Sequence, residues 1–385
     1  MEIKSGIEMI KPKIMNDFYY LHQNPEISWQ EFKTTMYLKE RLESLGLKTM
    51  TFNDMTGVVG IWDQQKQHKK GLTVALRSDI DALWQELDGK WQANHSCGHD
   101  GHMAIVLGTV ELLKVIGFEP NGTLKIIFQP AEENGTGALK MVEKGMVDDI
   151  DYLYGVHLRP IQELPFGKAS SAIFNGAALL IKGKIYGTAA HGARPHLGVN
   201  VIDVAAHLIQ ALHSIYTDPM IPASVKMTQL KAGGENANII PDFAEFSLDI
   251  RAQTNQLLDE LYEKVKFRLK GIGDLYGARI EIVPSNKIPA AEVNQEAKQI
   301  MEKAIKETLN EENLVPGIVT PGGEDFHFYT LQRPSIKATM LGLGSDLQPG
   351  LHHPKMSFNH TALVSGAEIL ARAIIHTFKR GKNGD

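Results

Sequence analysis

The hydrophobic period of this chain changes twice, and any fold it adopts has to accommodate both changes. Up to about residue 177, short apolar runs alternate with segments of helical spacing. Ile14 to Leu45 reads as helix with a break at Asn24-Pro25-Glu26, and Gly101 to Ile116 and Gly137 to Glu143 read as further helices. Between and after them, Gly57 to Trp62, Leu72 to Leu76, Thr123 to Phe128 and Tyr152 to Val156 are short apolar strands. Strands alternating with helices predict an α/β domain built on a mixed, largely parallel sheet.

Beyond residue 177 the strands turn amphipathic. Leu179 to Tyr186, Ser224 to Leu230, Glu245 to Arg251 and Arg279 to Val283 suit an antiparallel sheet with one wet face. Helices at Val199 to Ile215 and Asn255 to Lys270 complete a β-α-β-β-α-β order, the split, ferredoxin-like arrangement. From about Pro289 the first rhythm returns, with helix Asn294 to Leu309, strand Ala338 to Leu343 and helix Thr361 to Phe378. The expectation is a discontinuous α/β domain, residues 1–177 and 289–385, interrupted by a smaller α+β domain, residues 178–288. A length of 385 residues agrees with more than one core.

Hydrophobic residues make up 43% and charged residues 22%, an ordinary balance for a soluble protein. A net charge of −5 with both signs mixed gives no basis for nucleic-acid binding. No apolar run is long enough to cross a bilayer, and the N-terminal residues have a charged helix pattern in place of a signal peptide. With a single cysteine, Cys97, there is no internal disulfide, and the expected location is cytoplasmic.

Four groups of residues share one chemical theme. They are Arg77-Ser-Asp79-Ile-Asp81, His95-Ser-Cys97-Gly-His99-Asp100-Gly-His102, Glu132-Glu133, and His157 together with Leu351-His352-His353-Pro354. Asp79, Asp81, Glu132, Glu133 and His157 fall at strand carboxyl ends, where ligand sites gather in doubly wound sheets. Each has a plainer reading alone. Asp79 and Asp81 suit helix capping, Glu132-Glu133 a solvated helix start, and His157 a satisfied histidine. The Cys97-Gly98-His99-Asp100 run is different, because it offers three donors in four residues around a glycine that lets the chain turn tightly. Paired Cys-x-x-Cys spacing is absent, so the mixture of His, carboxylate and Cys is of the open, catalytic kind.

At these residues the chain resembles the M20 metallopeptidases, in the subgroup of hippurate hydrolases, auxin-conjugate hydrolases and N-acetyl amino acid deacetylases. The resemblance runs from Leu21-His-Gln-Asn-Pro-Glu26 through Arg77-Ser-Asp-Ile-Asp-Ala-Leu83, Cys97-Gly-His-Asp-Gly-His102 and Phe128-Gln-Pro-Ala-Glu-Glu133. It continues through Gly155-Val-His157, Ala190-His-Gly-Ala-Arg-Pro195, Asn238-Ile-Ile-Pro241, Gly323-Glu-Asp-Phe326 and Leu351-His-His-Pro354. It implies two divalent metal ions per subunit (zinc, manganese, cobalt or nickel) held by Cys97, His99, Glu133, His157 and His352. His352 is preferred to His353 because the family pattern is Leu-His-x-Pro. Glu132 takes the part of general base and acid, and His191 that of an oxyanion contact, often supplied by a partner subunit. Asn238 and Arg251 are implied to hold a substrate carboxylate. Read from the residues alone, Asn238 suits the turn before Pro241 and Arg251 a surface strand cation.

The resemblance further implies that the inserted domain acts as a lid and as a homodimer surface. The expected activity is hydrolysis of an N-acyl amino acid or related conjugate, with a dipeptidase or aminopeptidase, or a non-catalytic binding homologue, as alternatives. Two departures bear on the substrate. Trp84 stands where the family commonly has proline, and Asn94-His95-Ser96 replaces Met-His-Ala after a short connecting segment.

Overall fold

The computed structural model describes residues 2–63 and 71–380. The chain forms two compact units. One comprises Met1–Phe174, Glu292–Ile318 and Asp325–Asp385; the other comprises Asn175–Ala291 and Val319–Glu324.

The first unit is built on an eight-stranded sheet. Its four central strands, in spatial order Gly122–Gln129, Leu72–Asp79, Tyr152–Pro160 and Lys337–Leu347, are parallel. Val58–Asp63 joins one side antiparallel and carries Lys48–Thr51 beyond it. Ala169–Ser170 joins the other side, antiparallel to Lys337–Leu347, so the sheet is mixed. The central strands read as near-continuous apolar runs because both faces are covered. Leu72–Asp79, for example, is buried from its second residue to its last.

Helix His99–Val115 packs on this sheet between helices Ile3–Gln23 and Ala362–Arg380. It comes so close to the first that a Cβ on Gly108 would lie 2.6 Å from Ile14 Cγ1. The parallel register aligns Asp79 with Gln129 and His157 with Gly342, which carries the chemistry-bearing segments to neighbouring carboxyl ends.

The second unit has a four-stranded antiparallel sheet in the order Ala223–Ala232, Phe243–Ala252, Ala177–Tyr186, Arg279–Ile288. That is the ferredoxin-like order expected from the sequence. Helix Val201–His213 buries Val204, Leu208 and Leu212, and helix Asn255–Tyr276 buries Leu258, Leu261, Val265 and Leu269. Both show the one-sided spacing of helices on a sheet.

Three local differences from the sequence reading matter. His157 lies within a strand that continues to Pro160, not after one that stops at Val156. Glu132 and Glu133 lie in a turn, not at a helix start. A hairpin, Leu83–Leu87 with Lys90–Asn94, occupies the short segment before His95. Its Asp88-Gly89 turn has positive φ at both residues, a hairpin signal that polar, exposed flanks obscured. Among the described residues no helix is long and apolar enough to cross a membrane.

Candidate metal centre

Gly98 has φ +87°, a conformation that favours glycine, and it caps helix His99–Val115. The sharp entry lets Cys97, before the helix, and His99, its first residue, serve one centre. Donor atoms of Cys97, His99 and His157 lie within 4.8 Å of one another, as do those of Cys97, Glu133 and His352. The Cys97 thiol thus belongs to both triads. His99, Glu132 and Glu133 form a third group within the same limit.

The hydrogen bonds of the imidazoles decide which nitrogens remain for a ligand. His99 Nδ1 lies 2.9 Å from the carbonyl oxygen of Asp81, to which it donates, leaving Nε2 as the nitrogen that faces the cluster. His157 Nδ1 likewise donates to the Leu158 carbonyl at 2.6 Å, and its Nε2 lies 3.7 Å from Cys97 Sγ. A histidine that ligates a metal commonly donates its other N–H in this way. His99 Nε2 and Glu133 Oε1 are buried and have no hydrogen-bond partner, and they lie 3.9 Å apart. Native proteins seldom leave such atoms unpaired, and a divalent cation would satisfy both. The donor set therefore fits a metal centre. His352, with φ +63°, brings Nε2 to 3.4 Å from Glu133 Oε2. His353 instead accepts the Lys355 N–H, so the geometry favours His352 of the two.

Another group close enough for a metal, Asp79, His99 and His102, is committed elsewhere. His102 Nε2 accepts the Leu158 N–H at 2.9 Å, so its proton sits on Nδ1 and is donated to Asp79 Oδ1 at 2.8 Å. Asp79 Oδ2 takes the Arg77 guanidinium at 2.9 Å. Arg77 is wholly buried and also pairs with Asp325 at 2.8 Å, while Gln129 bonds to both partners. Asp325 in turn offers its backbone N–H to Glu132 Oε1 at 3.4 Å.

The electrostatics favour positive charge among these donors. Burial pushes the Cys97 thiol up, and Glu133 adds to the shift. Burial opposes charge on His99, but Asp79 and Cys97 hold its imidazole well above the ordinary value. Hydrogen bonds to Cys97 and Glu133 hold His352 up to about 10. Burial keeps His157 well below its usual range, hence neutral and able to donate a lone pair.

The hairpin braces the His352 loop. Gln85 Nε2 donates to the His352 carbonyl at 2.8 Å, and Asn94 Nδ2 donates to that of Pro354 at 2.9 Å. Trp84 and Trp91 lie on the other face of the hairpin, both largely exposed. His95 is buried, with both ring nitrogens unpartnered.

His191, Asn238 and Arg251 belong to the second unit. His191 and Asn238 are brought together there: Ala190-His191 pairs with Ile239-Ile240, and Gly192 N–H donates to the Asn238 carbonyl at 2.7 Å. His191 is exposed and its Nδ1 accepts the Ala193 N–H. Arg251 is not joined to them. It reaches both carboxylate oxygens of Asp249 through Nε and Nη2.

Residues 75–376 match the model of peptidase family M20/M25/M40. The chain is 31% identical to the N-acetyl-L-cysteine deacetylase of Bacillus subtilis, covering 95% of this chain and 89% of the relative. It is 30% identical to the hippurate hydrolase of Campylobacter jejuni, covering 94% and 95%. A solved structure of the Bacillus subtilis YXEP protein, described as a dinuclear metal-binding peptidase of the M20 family, superposes with a TM-score of 0.82 at 26% identity, covering 97% of this chain and 99% of that one.

Proposed function

This chain belongs to peptidase family M20/M25/M40 and is a hydrolase of amide bonds; from that premise we propose that it removes the acyl group from N-acyl amino acids or related conjugates. The observation that carries the reading is the pair of donor triads sharing Cys97, with the spare nitrogens of His99 and His157 already committed. Cys97, His99, Glu133, His157 and His352 would hold two divalent ions. When bound, such ions supply Lewis acidity, which acidifies water and polarises a carbonyl.

Glu132 is the general base and acid. It stands beside Glu133 and His99, with its Oε1 facing the Asp325 N–H. Its carboxylate takes a proton from water as the oxygen adds to the amide carbon, then gives that proton to the departing nitrogen as the C–N bond breaks. Asp81 turns His99 toward the cluster and Leu158 does so for His157, so neither ring has to reorient during turnover. His191 is proposed to steady the oxyanion, and Asn238 and Arg251 to recognise the substrate carboxylate.

The test is removal of metal with a chelator, verified by elemental analysis, followed by return of zinc, manganese, cobalt or nickel singly. A panel of acetyl, benzoyl and longer-chain amino acids with dipeptides as comparison reports activity. Activity that falls with the metal and returns with it, on acylated amino acids above dipeptides, is the expected result. Full turnover by metal-free protein would overturn the reading.

A further inference from the structure

Glu31 stands outside the machinery described so far. It immediately precedes helix Phe32–Ser44 and is wholly buried. No Lys, Arg or His among the described residues forms an ion pair with it. Its Oε2 accepts the Thr56 hydroxyl at 2.5 Å, and its Oε1 accepts the N–H of Ala131 at 2.9 Å, a hundred residues away in sequence. Ala131 is itself buried and has φ +53°, in the left-handed region that a residue with a Cβ occupies only under constraint. The next two residues are Glu132 and Glu133.

The turn they occupy is tied down at several points. Ala131 C=O receives the Gly137 N–H at 3.2 Å, Glu132 C=O the Gly135 N–H at 2.7 Å, and Glu133 N–H goes to Asp81 Oδ2 at 3.1 Å. Pro130, just before, has no N–H to offer. The Ala131 N–H therefore rests on Glu31. An amide side chain would accept that bond without placing an ionisable group in the interior, where a carboxylate lacking a cation is costly. When ionised, the carboxylate adds strength, since a charge-assisted bond from a backbone N–H is roughly twice as strong as a neutral one. Such strength is useful where a strained residue has to be held.

We propose that Glu31 is a positioning residue for the amide hydrolysis, pinning Ala131 in its left-handed conformation and so setting the direction in which Glu132 and Glu133 leave the strand. The inference rests on the roles given above to Glu132 and Glu133. Glu31 itself touches neither substrate nor metal.

The experiment compares Glu31→Leu and Glu31→Gln in the metal-loaded full chain, with hippurate and N-acetylcysteine as probes. The two replacements are similar in size, and only glutamine keeps an acceptor for the Ala131 N–H. Glu31→Leu lowers kcat on the order of 10–100-fold, the range expected for misplacing a reacting group by a fraction of an ångström to one ångström. KM stays near its original value, and Glu31→Gln retains most of kcat. Adding Ala131→Gly to Glu31→Leu recovers part of the loss, because glycine adopts this conformation without the constraint. Elemental analysis shows metal held less tightly by Glu31→Leu than by Glu31→Gln. Wild-type kcat and metal affinity in Glu31→Leu would overturn the proposal, as would a defect equal in both variants. A Glu132→Gln control separates the two levels: if it stays active, the reading of Glu132 fails, whatever Glu31 does. Should Glu31→Leu not fold, Thr56→Val removes the hydroxyl that orients Glu31. A fewfold loss of kcat at constant KM then supports the proposal, and an unchanged kcat overturns it.

Discussion

Replacing Glu31 by glutamine should change how stability depends on pH, and the size of the change follows from the environment of the carboxyl. Burial raises its pKa from 4.5 to about 7; the Thr56 hydrogen bond opposes the rise and the nearby Asp81 charge adds to it. Below pH 4.5 the folded and unfolded chains both keep the proton, so the group does not contribute. Between 4.5 and about 7 the unfolded chain has released a proton that the folded chain retains, so stability falls as pH rises. Above about 7 both are ionised and the full penalty is present. A shift from 4.5 to about 7 is about 2.5 units, which at 1.36 kcal/mol per unit is about 3 kcal/mol. Glutamine cannot ionise, so Glu31→Gln loses this pH-dependent part. At Thr56 the glutamine amide donates to the hydroxyl where the carboxylate accepted from it, and that exchange shifts stability by an amount that does not vary with pH. The assay is thermal unfolding of both proteins at one metal concentration, from pH 4.5 to 8. The difference in Tm, variant minus wild type, should become more positive with pH by about 6–12 °C, taking roughly 2–4 °C per kcal/mol for a unit of this size. A difference that stays flat across that range would refute the reasoning and mean that Glu31 ionises as an ordinary carboxyl.

Cys97→Ser should weaken metal binding measured by titration calorimetry, because a hydroxyl is a far poorer ligand than a metal-ionised thiol; unchanged affinity would make Cys97 a packed thiol beside the site. Asp325→Ala removes an anionic partner from a wholly buried guanidinium, and breaking a buried pair from one side typically costs about 3–5 kcal/mol, read here as a fall in the urea midpoint. His191→Ala should lower kcat while metal content stays normal, since the proposed loss falls on the transition state. If His191 acts from a partner subunit, mixing this variant with Glu132→Gln restores activity to the hybrids, and no recovery assigns it to its own chain.

What could be read from the sequence, and what could not, divides by the range of the interactions. Helix Gly137–Glu143 and the β-α-β-β-α-β succession of the second unit were legible because period and turn chemistry are local properties, while the spatial order of the larger sheet and its hairpin Leu83–Leu87 with Lys90–Asn94 were not. Of the donors of the candidate centre, the run from Cys97 to Asp100 stood out by residue type and spacing, whereas Glu133, His157 and His352 entered as ligands only through the resemblance to the M20 family. The residues that aim those donors were not legible. Asp79 and Asp81 each have an ordinary reading as capping carboxylates, and only the fold shows one bound to His102 and the other turning His99. Arg77 meets Asp325 across 248 residues, a pairing no local pattern announces. The case of Glu31 goes further. A glycine at position 131 would have marked a left-handed turn before the carboxylate pair, and an acceptor for its N–H would have been worth seeking. Alanine carries no such mark. Its conformation is imposed from outside by a carboxylate from another part of the chain, so the constraint is written at position 31, where the sequence offers only a glutamate ahead of a helix. Where local preference and native geometry disagree, the compensating residue has to lie elsewhere, and such a disagreement beside reactive groups is a reason to look for it.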